Sequence, residues 1–527
     1  MPDTSDVTNV SDQQRLRWSA VLLLLAIGVA FAVYGINEQG MWYDELYSAT
    51  LGAVPLLDVV ETVRRFDMHP PLYYLQLSVW ETVSQSDLWL RLNSTAWWLA
   101  TGVVLTLISR RLFSNNTAYL ALAFFVLNAS GVHFAQELRM YALLMLLTVL
   151  CFYATEQFWR HEERAPSGLL YVITVTVIYS HGAGFLILLS MWASAAWVAW
   201  QRLVPRQRLL RFAAVQFAAI LTGLPEHLRA ATMHLHFEEG LSYAIAPSPY
   251  ELLRDTVWLI TGRGELLGAV SIPITLSLTV PILWAGTRTE GPARRALLAF
   301  VITPIATCCA ISHLSRPIWV FRAISFTLPL LCLTLAVGSL QWLEVIHARL
   351  AAVKSNETSE AWPGLQRVTT MLLPVALLVW CLFGVIAQRT FYPLVSHYRE
   401  AAEVVARAGR VGDTIYVPQS YGYWAFCWYA LGPGSIQPLH DAGQHELPNG
   451  VLVVKGRPEA EPRIVETKYV ATESDDAGQH DLPRTFLLMY GKKPAAKMIA
   501  ELQLAEGIEV RQFIDESPVG VWQIRSN

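Results

Sequence analysis

The stretch MWYDELY, Met41 to Tyr47, sets two adjacent carboxylates among aromatic residues just beyond the long apolar run Trp18 to Ile36. On which side of a membrane it lies decides how the rest of the chain is read. Two further stretches carry the same kind of residues at span ends: HPPLYY at His69 to Tyr74 and QELRMY at Gln136 to Tyr141. The remainder of the chain is expected to hold all three outside a membrane.

Composition supports a membrane setting. The 527 residues are 54% hydrophobic and only 15% charged, with a mean hydropathy of +0.36, which is too apolar for a soluble enzyme. Nineteen Trp and 20 Tyr suit a chain with many interfacial belts, where amphipathic rings settle at headgroup level. The net charge of -3 points to no class of partner. Cys151, Cys308, Cys309, Cys332, Cys381 and Cys427 show neither a CxxC pair nor Cys/His spacing, so neither a zinc finger nor a disulfide framework is implied.

Taken in order, residues 1–14 are polar and read as a disordered tail. Arg15 and Arg17 precede the first apolar run and keep the N-terminus cytoplasmic by the positive-inside rule. Ala30-Phe31-Ala32 resembles a signal-peptidase site, so a cleaved signal is the alternative for this run. Residues 37–87 read as one large outer loop with juxtamembrane helices. The apolar part after Pro71 is only about 13 residues, short for a span, and Pro70-Pro71 suits a helix start.

Ten further runs follow: 88–108, 118–132, 141–159, 169–179, 185–200, 212–224, 266–284, 297–311, 318–340 and 368–387. Together they make about 11 spans. Nearly every dense Lys/Arg cluster falls on one side, which fixes the expected topology. Asp44, Glu45, His69, Glu137, Arg139, His181, Glu226, His313, Arg316 and Arg322 all land at the outer ends. Ionisable groups at membrane depth are costly and usually functional, so the site is expected at the outer leaflet. After Phe391, short β runs alternate with helical patterns, giving a small extracytoplasmic α/β domain over 391–527 beside a transmembrane domain over 1–390. No GxGxxG or P-loop occurs in it.

Each motif has a plainer reading beside the functional one. Asp44 and Glu45 can divide labour, one ionised as base or metal ligand and the other positioning it, or Asp44 can simply cap a short helix. His69 is a helix-start polar group, or a ligand beside the acids, with the neighbouring tyrosines facing lipid. Glu137 and Arg139 can neutralise each other, or Arg139 can offer its planar fork to a phosphate. Arg316 and Arg322 snorkel to headgroups or bind a phosphate. His234 and His236 form a His-x-His in a loop expected from Glu226 to about Leu253, with loose spacing for a metal.

In the order WYDE, HPPLYY, RL at Leu90 to Leu92, RRLF and QELRMYAL, the chain resembles the C-type-fold, lipid-sugar-dependent membrane glycosyltransferases, specifically the protein-mannosyltransferase and aminoarabinose-transferase superfamily. YSHGAGFL, FRAISFTLPLL and YREAAEVVARAGRVGDTIYVP extend the likeness. The resemblance implies a polytopic helical fold and Asp44 as catalytic carboxylate with Glu45 assisting. It implies a polyprenyl-phosphate-linked sugar donor reached from the outer leaflet of the plasma (inner) membrane, and an inverted product. Arg139 and Arg322 would stabilise the phosphate leaving group, with His69, Tyr74, Gln136, Glu137, Tyr141, His181 and Arg316 completing the substrate-binding set. His69 stands where relatives place a Lys before the two prolines. Some relatives bind a divalent metal and others need none, so a metal is left open, with Glu45, His69, His234 and His236 as candidates. Expected partners are membrane lipid and an envelope glycan, lipid or protein acceptor; nucleic acid is not among them. The rival is a transporter or lipid flippase, which should show Gly- or Pro-broken helices, midplane charges and repeated halves; none is read in the sequence.

Overall fold

A computed structural model describes residues 16–38, 40–160, 166–236, 244–262, 268–287, 292–354, 363–391, 398–418, 420–455, 485–490, 509–512 and 519–525. The chain divides into two compact units. The first comprises residues 1–36, 63–73 and 91–393; the second comprises 37–62, 74–90 and 394–527. The outer-loop segments 37–62 and 74–90 therefore group with the C-terminal residues.

The chain begins with α1 (Trp18–Val33), α2 (Tyr43–Gly52), α3 (Val59–Phe66), α4 (Leu72–Glu81) and α5 (Asp87–Leu112). There follow α6 (Asn115–Val126), α7 (Ala129–Gln136), α8 (Tyr141–Arg160), α9 (Ser167–Ser180), α10 (Gly184–Trp200), α11 (Arg206–His236) and α12 (Pro249–Thr261). Next come α13 (Gly268–Thr287), α14 (Pro292–Leu314), a 3-10 turn (Phe321–Thr327), α15 (Leu328–Lys354) and α16 (Pro363–Phe391).

Among the described residues six helices are long and apolar enough to cross a membrane, or seven if the bent pair α6 and α7 counts as one span. Four shorter apolar helices, α1, α9, α10 and Val270–Gly286 within α13, accompany them. The chain is a multi-pass helical membrane protein. Helix α8 is buried on nearly every face, as expected of an apolar helix at the centre of a bundle.

The first helix belongs to this packing. Gly28 lets Trp98 and Val126 approach so closely that a Cβ there would lie 3.0 Å from each. The Gln136 amide donates to the Ala32 carbonyl at 2.8 Å and to that of Tyr34 at 3.2 Å. These carbonyls have no successor turn to pair with, so a side-chain donor satisfies them.

Three local expectations change. The run 118–132 is two helices bent by 62° rather than one span. Asn128 makes the break: its Oδ1 accepts from Gly131 N–H at 2.8 Å as an N-cap, and its Nδ2 donates to the Leu259 and Ile260 carbonyls. Residues 226–236 are helix, not loop, because α11 continues through Pro225. Prolines also lie inside α13, α14 and α16, so unbroken, proline-free helices are not what the structure has.

In the second unit, α17 (Tyr398–Ala408), β1 (Thr414–Val417), α18 (Ser420–Leu431), β2 (Gln444–Glu446) and β3 (Leu452–Lys455) precede β4 (Thr485–Tyr490), β5 (Glu509–Gln512) and β6 (Val519–Arg525). The sheet order is β2-β3-β1-β4-β6-β5, with β1 parallel to β3 and β4 and the other pairs antiparallel. Gly450, at φ 77, turns the chain into β3 where a Cβ would meet Val411 at 2.9 Å. The helix expected from PAAKMIAELQLA lies outside the described residues, as does the tail 1–14.

Candidate functional site

Two clusters hold the sequence-marked residues, one in each unit. In the second unit, Trp42 is the N-cap of α2, and its N–H donates to Glu45 Oε2 at 3.1 Å. Glu45, fully buried, thus performs the reaching-back half of a capping box. Capping by Asp44 is therefore not what the sequence has built. Asp44 is the second helical residue, half-buried, at the end of α2 where amide dipoles favour negative charge. Tyr47, one turn on, stacks on Trp424 with centroids 5.4 Å apart and planes at 18°. Tyr74, in the same unit, is fully buried, as is Tyr73 in the first; neither faces lipid, because both rings pack into protein.

In the first unit the chain leaves α3 through Asp67 and His69 before the proline pair. Arg229, on α11, holds this turn. Its Nη1 donates to the carbonyls of Arg64 at 3.1 Å and Asp67 at 2.7 Å, and its Nη2 to that of His69 at 3.1 Å. A cation over the last carbonyls of a helix is favourable by both hydrogen bonding and dipole. Glu226, 1% exposed, fixes Arg229 at 2.6 Å and also accepts from Arg64 Nε at 3.1 Å. The His69 N–H donates to Asp67 Oδ1 at 2.9 Å, completing the turn.

The His69 ring then faces His181, with centroids 4.7 Å apart. His181 ends α9, and its Nδ1 accepts from the Ala183 N–H at 2.8 Å, so its other ring nitrogen carries the proton. Burial first, and then the guanidinium charges of Arg139, Arg322 and Arg229, push His69 down to about 3. Burial, His69 and the same Arg139 and Arg322 push His181 well below the usual range, while Asp67 pulls it the other way. Both imidazoles are neutral at physiological pH. His69 Nδ1 is buried and makes no hydrogen bond among the described residues. The cluster thus offers neutral imidazole and guanidinium groups at one place, a setting for an anion.

The other sequence-marked residues separate by role. Tyr141 packs against His181 at 5.9 Å between centroids and belongs to the cluster. Gln136 is spent on the carbonyls that end α1. Glu137, 3% exposed, lies 3.7 Å from His133 Nε2 rather than among the charges acting on His69. Arg316 is exposed and is likewise absent from those charges. Arg229 was missed by sequence reasoning; the signal was there in PEHLRA, which sets Glu226 and Arg229 three apart on one helix face. Among the described residues no three His, Cys, Asp or Glu side chains gather as a metal site would require. Of the metal candidates, Glu45 is engaged at Trp42 in one unit and His69 lies in the other, while the side chains of His234 and His236 fall outside the described residues.

No protein-family model matches the chain, and no curated protein is similar to it in sequence. Solved structures are similar in fold. The crystal structure of ArnT from Cupriavidus metallidurans bound to undecaprenyl phosphate has a TM-score of 0.54 at 11% identity, covering 96% of this chain and 98% of that one. Its apo state gives 0.55 at 14% identity over 95% and 97%. The archaeal oligosaccharyltransferase AglB from Archaeoglobus fulgidus, in complex with an inhibitory peptide and a dolichol-phosphate, gives 0.52 at 13% identity, over 82% of this chain and 66% of that one. The fold is that of the C-type glycosyltransferases, as the resemblance read from the sequence implied.

Proposed function

We propose that the protein is a membrane glycosyltransferase that moves a sugar from a polyprenyl-phosphate donor to a cell-envelope acceptor, with inversion at the transferred carbon. The observation that carries this reading is the His69 and His181 pair, ring centroids 4.7 Å apart, on both of which the charges of Arg139 and Arg322 act. Such a cluster suits a lipid-linked phosphate: guanidinium groups take the charge that develops as the sugar leaves, and a neutral imidazole donates or accepts without adding repulsion. The fold neighbours carrying undecaprenyl phosphate and dolichol-phosphate support the same substrate class.

Asp44 is the catalytic carboxylate in this reading, orienting or deprotonating the acceptor hydroxyl so that its oxygen attacks the sugar carbon as the phosphate departs. Glu45 keeps the helix start in shape and assists only through it. All eleven apolar helical segments cross the plasma membrane, and the acid helix and the C-terminal sheet are extracytoplasmic. The absence of a nucleotide-binding motif from the sequence fits a donor delivered on lipid.

The test is transfer by the purified full-length protein, given a polyprenyl-phosphate sugar and an envelope acceptor, compared with Asp44→Asn. Transfer by the parent and its loss in the variant support the reading. Orientation is read separately by labelling Leu57→Cys, at a site 94% exposed, with an impermeant maleimide from outside the cell. Labelling only after the membrane is opened would overturn the topology.

A further inference from the structure

The hydroxyl of Tyr429, on α18, sits between two groups of its own unit. It accepts from the Met41 N–H at 2.7 Å and donates to Asp87 Oδ2 at 2.8 Å. Asp87 is itself ion-paired with Arg399 of α17, whose guanidinium lies 5.5 Å over the Tyr429 ring. Met41 is fully buried and immediately precedes the N-cap Trp42, so its N–H belongs to no helical ladder. A buried amide left without an acceptor is costly, and here one tyrosine hydroxyl satisfies it.

Two more contacts hold the same segment. At Gly40 a Cβ would lie 3.3 Å from both Arg399 Cβ and Tyr429 Oη, so the chain passes α17 and α18 closely. At the other end, Tyr47 stacks on Trp424, one turn and a half before Tyr429 on α18. Trp424 is fixed in turn by Asp441, which accepts from its Nε1 at 3.4 Å, from the Gly443 N–H at 2.9 Å and from Tyr423 at 3.3 Å, with His445 Nε2 at 3.1 Å. Helix α18 therefore grips α2 before its first residue and at its second turn, and Asp44 lies between the two grips. Burial and the Asp87 charge push the Tyr429 hydroxyl above its usual range, which keeps the proton on the oxygen and the bond to Asp87 intact.

We propose that Tyr429 is a positioning residue: oriented by Asp87 and Arg399, it fixes the Met41 backbone and with it the presentation of Asp44. The C-terminal helices α17 and α18 then have a stated task within the second unit, which is to hold the start of the acid helix. The consequence for catalysis rests on the glycosyltransferase reading above, whereas the positioning itself does not.

The experiment is hydrogen exchange at the 40–47 segment of the full-length protein, with sugar transfer measured on the same samples. Tyr429→Phe removes only the hydroxyl. It should speed exchange of the Met41 amide about tenfold, the equivalent of one lost hydrogen bond. It should also lower kcat about tenfold while leaving KM for the lipid donor within about twofold, because the donor site is not touched. Arg399→Ala should move both readouts in the same direction and Arg399→Lys should restore them, which keeps the test open if Tyr429→Phe folds poorly. Unchanged exchange at Met41 in these variants, or faster exchange spread evenly over the whole unit, overturns the proposal. Faster exchange at Met41 in a protein whose parent transfers no sugar leaves the positioning standing and removes the glycosyltransferase reading instead.

Discussion

The imidazoles of His69 and His181 face one another at 4.7 Å and 36°, both uncharged, with the charges of Arg139 and Arg322 acting on each. Two neutral rings in a cationic surrounding are an acid-sensitive arrangement. His69 in the folded protein protonates only near pH 3, whereas the unfolded chain takes up that proton near 6.5. Between these values the unfolded state binds more protons, so stability is lost as pH falls from 6.5. Thermal unfolding of the parent should show a drop of about 2 kcal/mol from His69 between pH 7 and 5, with a further share from His181, and His69→Gln should remove the His69 share and make the slope shallower. An unchanged slope in that variant would place the acid sensitivity elsewhere.

The arginines should separate by position. Arg139→Ala and Arg322→Ala should each weaken binding of undecaprenyl phosphate about tenfold or more, the worth of one charge-assisted hydrogen bond. Arg316→Ala, at an exposed guanidinium outside the cluster, should leave affinity within about twofold. Titration of the three purified variants with the lipid, at one fixed ionic strength, checks this. Equal losses in all three would reduce the cluster to a general surface charge.

The two acids of α2 should fail in different ways. Glu45 caps the helix through the Trp42 N–H, so Glu45→Ala should cost about 1 kcal/mol of stability, read as a lower Tm, and reduce transfer only modestly, whereas Glu45→Gln keeps an acceptor oxygen and should keep most of the Tm. Asp44 is half-buried at the second helical position, and Asp44→Asn should leave Tm nearly unchanged while transfer falls by about 10²-fold or more. Comparison of Tm and initial rate for Glu45→Ala and Asp44→Asn distinguishes cap from catalyst.

These assignments divide along the line between what a linear pattern can carry and what it cannot. The apolar runs were legible because a membrane demands long uninterrupted hydrophobic stretches, and the residues drawn to span ends were legible because charges are rare there. The break at Asn128 was not, since its cause is a side chain reaching the carbonyls of Leu259 and Ile260, over a hundred residues away. Arg229 was invisible for a similar reason: its partners are backbone oxygens of Arg64, Asp67 and His69, and carbonyls leave no mark in a sequence. The role of Glu45 could have been read from its spacing, three residues after the N-cap Trp42, had the helix start been placed there. One reading of HPPLYY turned its tyrosines to lipid, and tertiary packing buries both Tyr73 and Tyr74.

Glu81 gives a prediction of opposite sign to His69. It closes α4 with its carboxyl buried beside Gly52, and that burial pushes it well above the usual carboxylate range although a hydrogen bond with Gln85 pulls the other way. The folded state therefore keeps a proton that the unfolded chain releases above about 4.5, so this contribution weakens as pH rises. Glu81→Gln mimics the neutral acid and should raise Tm more at pH 8 than at pH 5. A gain that does not depend on pH would show that the carboxyl is ionised in the fold.

In the proposed function Asp44 drives transfer of a lipid-borne sugar onto the envelope. Mass spectrometry of envelope glycans and lipids, from cells lacking the protein and from the same cells supplied with the parent or with Asp44→Asn, addresses it most directly. One sugar should be missing on deletion, restored by the parent and still missing with Asp44→Asn at equal membrane abundance. Full restoration by Asp44→Asn, or an envelope unchanged by deletion, would contradict it.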